Sequence, residues 1–252
     1  LAQWFILPEP SSSFAAEHPE LSAQVLSLLY HRERYSTEQI EEFLSPDYNQ
    51  HVHDPFLFRD MRKAVDRILL AIEKNEPITI HGDYDADGVC ASVILTDTLT
   101  ALGATLVDVY LPHRETDGYG LNAKTVEYLS QKGSKVIITC DCGIGSTEEV
   151  ALANKKGIDV IVTDHHAIPA VLPAAYAIIH PKVDGEPYPD KTLAGGGVAF
   201  KLAQGLLKTH QERGGSLVGG ERHEAFEKWL LDMVAIATVA DMVPMIGESR
   251  TL

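Results

Sequence analysis

The sequence predicts an α/β fold, a parallel β-sheet flanked by helices, with a helical N-terminal leader. From residue 77 onward, short β-branched apolar runs alternate with segments of helical periodicity, which is the pattern of βαβ units. Residues 1–76 show helical periodicity without such runs. Acidic and histidine residues gather where the predicted strands end, and that edge is where parallel sheets bind ligands.

The leader is predicted to contain several short helices. Apolar residues recur at helical spacing from Leu21 to Leu29, and Ser36–Gln39 has the capping-box pattern that opens a helix. A longer segment, Met61–Glu73, has one apolar face. We therefore divide the chain into a helical segment, 1–76, packed on a core domain, 77–252.

The core domain is predicted to contain five parallel strands with helices between them. The strands are Ile78–His81, Thr105–Leu111, Lys135–Cys140, Ile158–Thr163 and Tyr176–His180. The helices are Val89–Leu102, Asn122–Lys132, Ser146–Lys156 and Val198–Leu207, and the third opens with a capping-box pattern at Ser146–Glu149. Helices between parallel strands cover both faces of the sheet.

Composition narrows the class of protein. The 252 residues carry 36 acidic and 21 basic side chains, a net charge of −15. Such a charge repels nucleic acid unless cations offset it. Three cysteines match neither a zinc site nor a disulfide framework, which favours a reducing, cytoplasmic setting. No apolar run is long enough for a membrane span. The chain starts with Leu and stops at Leu252, so we expect a piece of a longer protein.

The end of the first strand predicts a metal site. In the stretch 81–88, His81, Asp83, Asp85 and Asp87 occupy a tight turn between strand and helix, and their carboxylates repel one another unless a cation neutralises them. Oxygen ligands with one imidazole suit Mn²⁺ or Mg²⁺. The alternative is a solvated acidic loop. A calcium loop is excluded because no glutamate closes a twelve-residue loop.

Three further strand ends carry polar residues. Arg114 follows the second strand, Asp141 the third, and Asp164-His165-His166 the fourth. Scattered residues would not follow strand ends in this way, so the pattern strengthens the metal-site prediction. Arg114 could bind a phosphate oxygen, or it could pair with Glu115 or Asp117.

Two later segments add candidates. Gly195 and Gly196 precede a predicted helix, where backbone N–H groups could bind a phosphate; a flexible turn is the alternative. Asp241 ends an apolar helix shortly before Pro244. A carboxylate there is costly without a partner, which makes it a candidate metal ligand, with a solvated loop aspartate as the alternative.

These motifs resemble the DHH phosphoesterase superfamily. The pattern His-x-x-x-Asp-x-Asp-Gly at 81–88, Cys-Asp-Cys-Gly at 140–143 and Asp-His-His at 164–166 carry the likeness. Within the superfamily, 83–88, 112–120 and 237–244 resemble the RecJ group of exonucleases. The resemblance implies a DHH domain that hydrolyses single-stranded DNA from the 5′ end to 5′-mononucleotides, in DNA repair and recombination.

The resemblance also implies roles for individual residues. Two metals, usually Mn²⁺, would be held by His81 and Asp85 and by Asp87 and His165, with Asp141 and Asp241 bridging both. His166 and Arg114 would contact the scissile phosphate, and Asp83 and Asp164 would orient the ligands. Partners would be single-stranded DNA and a single-strand-binding protein or helicase.

The chain departs from the family pattern at its C-terminus, where family members continue into a second, DHHA1-type domain. We expect the core domain to be truncated before it. Two alternatives stay open: a DHH phosphodiesterase acting on short RNA or cyclic dinucleotides, and a non-catalytic replication scaffold. A scaffold would tolerate loss of ligands, whereas all the acidic and histidine candidates are present.

Overall fold

A computed structural model describes residues 3–116 and 118–252 and contains a five-stranded, entirely parallel sheet. The strands are β1 (Ile78–Gly82), β2 (Val107–Tyr110), β3 (Val136–Cys140), β4 (Asp159–Thr163) and β5 (Ala177–Ile179), in the order β2-β1-β3-β4-β5. All five predicted strands are confirmed.

Helices cover the sheet, and further helices precede and follow it in the chain. The leader contains α1 (Ser12–Glu17), α2 (Ala23–Tyr30), α3 (Thr37–Leu44), α4 (Tyr48–His51), a 3₁₀ turn (Pro55–Leu57) and α5 (Met61–Glu73). The sheet helices are α6 (Ala86–Ala101), α7 (Ala123–Lys132), α8 (Thr147–Lys155) and α9 (Gly195–Glu212). The last three are α10 (His223–Trp229), α11 (Leu231–Ala240) and α12 (Gly247–Thr251).

The sheet is buried on both faces, as a parallel sheet requires. Successive side chains of β3 point to opposite faces: Val136 and Ile138 pack with α5, α6 and α9, while Ile137 packs with α7 and α8. This three-layer arrangement confirms the predicted fold class. None of the helices in the described residues is both long and apolar enough to traverse a bilayer.

The leader has a small core of its own. Phe14, Leu26, Leu29 and Ile40 form a cluster separate from the main core, and the capping box that opens α3 at Ser36 is present as predicted. Helix α5, by contrast, packs in the main core against the sheet.

Two predicted helix starts were wrong, and both errors fall at the site. Helix α6 begins at Ala86 rather than Val89 because the Asp85 side chain accepts a hydrogen bond from Gly88 N and caps the helix. Helix α9 begins at Gly195 rather than Val198. The predicted capping box at the start of α8 is also wrong: Ser146 makes no side-chain cap.

Candidate metal centre

The site is assembled where β1, β3 and β4 end side by side. Asp83, Asp141 and Asp164 each follow their strand directly. Their backbone N–H groups continue the sheet: Asp83 N donates to Cys140 O (3.2 Å) and Asp141 N to Thr163 O (3.0 Å). Register alone therefore brings three aspartates from distant parts of the sequence to one edge.

Three groups of side chains are close enough to hold a metal ion. In each group, one ligand atom per residue lies within 4.8 Å of the others. The groups are Asp87, His165 and Asp241; Asp141, His165 and His166; and Asp83, Asp85 and Asp141. Seven predicted site residues are thus brought together from the ends of β1, β3 and β4, the start of α6 and the end of α11.

Asp141 lies at the centre of the site. Its backbone is in the left-handed region (φ 60°), a conformation that costs an aspartate energy and marks functional positions. Burial, together with the neighbouring Asp87 carboxylate, raises the pKa of Asp141 to about 9. The negative charge at Asp141 is therefore strongly disfavoured unless a cation shares it.

Asp87 has a structural partner that the sequence did not reveal. Its carboxylate accepts hydrogen bonds from Gly195 N (2.7 Å) and Gly196 N (2.6 Å), at the start of α9. These are the two amides that the sequence suggested for phosphate. In the structure they hold Asp87 instead, so we assign them to positioning this carboxylate.

Two buried atoms fit a metal directly. Asp141 Oδ1 and His165 Nε2 lie 3.1 Å apart, yet neither has a hydrogen-bonding partner among the described residues. His165 Nε2 also faces Asp87 Oδ2 at 3.6 Å and Asp241 Oδ2 at 3.7 Å. Burial lowers the pKa of His165, which favours the neutral imidazole that binds metals. Carboxylate oxygens around an imidazole fit a divalent cation.

His166 points to a different partner from His165. Its Nδ1 lies 2.8 Å from Asp164 Oδ1, and this hydrogen bond raises the pKa of His166 to about 9. Burial alone would raise the pKa of Asp164, but hydrogen bonds from His166 and from Ile144 N outweigh it and hold that pKa below its usual value. His166 is therefore cationic at neutral pH, with its ring 42% exposed.

Gly88 allows a tight turn between β1 and α6. A Cβ on Gly88 would lie 2.6 Å from the backbone N of Asp83, so only glycine lets the start of α6 approach the end of β1 this closely. Asp83 is buried, and burial raises its pKa. Asp85 stays exposed at the helix cap.

The loop after β2 supplies Tyr119 and Arg114. The Tyr119 hydroxyl lies 3.2 Å from His166 Nδ1, a contact to which no sequence motif assigned a role. The Arg114 guanidinium lies over the Tyr84 ring, 5.0 Å from its centroid. No salt bridge joins Arg114 to Glu115 among the described residues, and Asp117 lies outside them.

His81 is a predicted ligand for which the structure shows other contacts. Its buried ring stacks on Tyr110, and its Nδ1 lies 3.7 Å from Cys142 Sγ. It belongs to none of the three groups found among the described residues, whereas Asp83 does. Cys140 and Cys142 are buried and free, as packing residues should be.

Sequence reasoning missed the segment after β5. His180 Nε2 lies 3.1 Å from His166 O, and Lys182 Nζ donates to His165 O. Both residues contact the backbone of the Asp164-His165-His166 turn. Neither belongs to a recognisable motif, so only the packing of β5 beside β4 could reveal them.

The sequence is similar to those of known proteins. A model of the DHH family, N-terminal domain, matches residues 77–238. The single-stranded-DNA-specific exonuclease RecJ of Bacillus subtilis is 41% identical over 94% of this chain and 28% of its own length. The RecJ of Haemophilus influenzae is 34% identical over 96% of this chain and 40% of its own length. The chain thus spans well under half of these curated relatives.

Solved structures show the same architecture. A crystal structure of exonuclease RecJ bound to manganese is 33% identical, with a TM-score of 0.65, over 77% of this chain and 46% of that one. The RecJ of Thermus thermophilus in complex with Mn²⁺ is 26% identical, with a TM-score of 0.73, over 97% of this chain and 33% of that one.

Proposed function

This chain belongs to the DHH family, and from that premise we propose that it is the catalytic core of a metal-dependent exonuclease. The proposed activity is hydrolysis of single-stranded DNA from the 5′ end to 5′-mononucleotides, in DNA repair and recombination. The relatives named for this activity match most of this chain. The observation that carries the proposal is the buried, unpartnered pair Asp141 Oδ1 and His165 Nε2 at the carboxyl edge of the sheet.

Two divalent cations, Mn²⁺ or Mg²⁺, would bind at this edge. Asp87, His165 and Asp241 would hold one, and Asp85 with Asp141 would hold the other. Bound together, two such cations supply a deprotonated water and stabilise the charge that develops in phosphoryl transfer. The role of His81 as a ligand stays a prediction.

The remaining residues bind and orient the substrate. Asp164 holds His166 through Nδ1, which leaves Nε2 of a cationic ring for an oxygen of the scissile phosphate. Arg114, on its exposed loop, would bind the same phosphate. These two positive charges offset the acidic site, which a polyanion would otherwise avoid.

The proposal is tested with the 252-residue chain and the full-length protein, each incubated with 5′-labelled single-stranded DNA, duplex DNA, short RNA or a cyclic dinucleotide. We expect labelled mononucleotide from single-stranded DNA in Mn²⁺ and none after chelation. Cleavage of short RNA or cyclic dinucleotides alone would assign the chain to another branch of the family. Lack of any cleavage by the full-length protein would favour the scaffold.

A further inference from the structure

The turn that carries both site histidines has little structure of its own. Asp164, His165 and His166 follow β4 as irregular backbone. The two imidazole rings lie side by side, with centroids 4.7 Å apart, but each has its own partners: His165 Nε2 faces Asp87, Asp141 and Asp241, whereas His166 Nδ1 lies 2.8 Å from Asp164 Oδ1. Rotation of a peptide plane in this turn would swing one imidazole out of place.

The carbonyl groups of this turn are held from the segment after β5. Lys182 Nζ donates to His165 O, and His180 Nε2 donates to His166 O (3.1 Å). Each bond fixes one peptide plane, so rotation of that plane would break it.

His180 is itself locked in the orientation that this bond requires. The backbone N–H of Lys182 donates to His180 Nδ1 (3.1 Å), so Nδ1 is unprotonated and the proton lies on Nε2, the nitrogen that faces His166 O. His180 is fully buried, and a ring that turned over would lose both hydrogen bonds. Backbone groups on both sides therefore set its tautomer.

We propose that His180 and Lys182 are positioning residues, which hold the two successive carbonyl groups of the turn so that His165 faces the metal ligands and His166 faces the substrate. The inference rests on the proposed function for what the two histidines bind. The way in which the two histidines are held follows from the hydrogen bonds of the turn alone. Hydrogen-bonding partners behind metal ligands commonly set ligand orientation and metal affinity.

The first experiment replaces Lys182, which is exposed, so that the core is left intact. In Lys182→Met we expect the His165 ring signals to shift in long-range ¹H–¹⁵N spectra of metal-free protein. We also expect Mn²⁺ affinity, measured by titration calorimetry, to fall about tenfold or more. Lys182→Arg keeps a donor and should restore both. The matched control is Lys191→Met, since Lys191 also donates to a backbone carbonyl, that of Glu186, but away from the turn.

The second experiment replaces His180. In His180→Leu we expect the His166 ring signals to shift and the KM for single-stranded DNA to rise more than Mn²⁺ affinity falls. His180→Gln, which keeps a donor, should recover part of both. Wild-type ring signals and Mn²⁺ affinity in both Lys182→Met and His180→Leu would overturn the inference. Shifted signals and weaker Mn²⁺ binding in a chain that cleaves no DNA would instead overturn the proposed function and leave the positioning role standing.

Discussion

Asp141 concentrates the electrostatic cost of the site in one residue. Its backbone is left-handed, its carboxylate is buried, and the nearby Asp87 raises its pKa further. None of these features stabilises the fold. A destabilising residue at a ligand-binding edge is expected when the side chain is needed for function and not for folding.

Replacing Asp141 should separate stability from metal binding. In Asp141→Asn we expect a metal-free melting temperature equal to or above that of the wild type, because an amide does not incur the cost of holding a buried acid whose ionisation burial and Asp87 oppose. We also expect the Mn²⁺-dependent rise in melting temperature to disappear, since that rise requires binding to the folded state. Calorimetry with and without Mn²⁺ measures both.

The control for this variant is Asp159→Asn. Asp159 pairs with Arg67 at the start of β4, the opposite end of the strand from the site, so its loss should leave the Mn²⁺-dependent rise intact. A persistent rise in Asp141→Asn would contradict our assignment of this residue.

His180 gives a pH dependence of stability. Burial lowers its pKa to about 4 from an ordinary value of 6.5. The unfolded chain therefore takes up a proton at His180 as the pH falls below about 6.5, while the folded chain resists until about pH 4. Stability should decline through this window, and in His180→Gln the decline should be shallower. Urea unfolding between about pH 7 and about pH 4 tests this, and equal slopes would contradict it.

At the scale of elements, α9 is tied to the site by its first residues. Its N-cap residue, Ala194, has no side-chain cap, and Asp87 supplies that role from α6. Gly195 also lies against Asp141, where a Cβ would approach the carboxylate to 2.6 Å. The start of α9 and two predicted metal ligands are thus packed as one unit.

Gly195→Ala should disturb this unit directly. The added methyl group cannot fit beside Asp141, so we expect a loss of about 1–3 kcal/mol in unfolding free energy and weaker Mn²⁺ binding. Denaturant unfolding and titration calorimetry measure the two effects. In the control, Gly219→Ala, the added Cβ would meet only the flexible end of Glu221. Wild-type Mn²⁺ affinity in Gly195→Ala would contradict the coupling.

Elements whose signal lies within their own sequence were predicted correctly, whereas features that depend on distant residues were not. The five strands were recognised because each is a short β-branched run, a signal contained within the strand itself. The start of α9 was not recognised because its cap, Asp87, lies 108 residues away in sequence. His180 and Lys182 were missed for the same reason: their role depends on β5 lying beside β4. Sequence patterns report local structure, and they report contacts between elements only where a motif encodes them.

At the scale of the whole molecule, one buried ionic network joins the leader to the core. Lys201 of α9 donates to Glu248 of α12 (2.9 Å) and to the carbonyl of His53 (2.6 Å). Glu248 also accepts from His53 N (2.9 Å) and from the Tyr188 hydroxyl. Lys201 and Glu248 are both fully buried. The network connects the leader, α9, α12 and the loop before α9.

Lys201→Met should destabilise the molecule strongly, because it leaves the Glu248 charge buried without its partner. We expect a loss of about 3–5 kcal/mol in unfolding free energy. The control, Lys208→Met, removes an exposed pair with Asp54 on the same helix and should cost about 1 kcal/mol or less. Urea unfolding measures both, and equal losses would contradict a special role for the buried pair. A second variant, Lys201→Met with Glu248→Gln, removes the buried charge but keeps an acceptor for His53 N and the Tyr188 hydroxyl, and should recover part of the loss.

The hydrogen bonds by which Asp87 caps α9 also affect the charge balance of the site when no metal is bound. Two peptide groups already lend part of a positive charge to one of the crowded aspartates. The negative charge that a bound cation must neutralise is therefore smaller than the number of carboxylates suggests. Because these hydrogen bonds need no ion, we expect the start of α9 to stay joined to Asp87 whether or not a metal is bound.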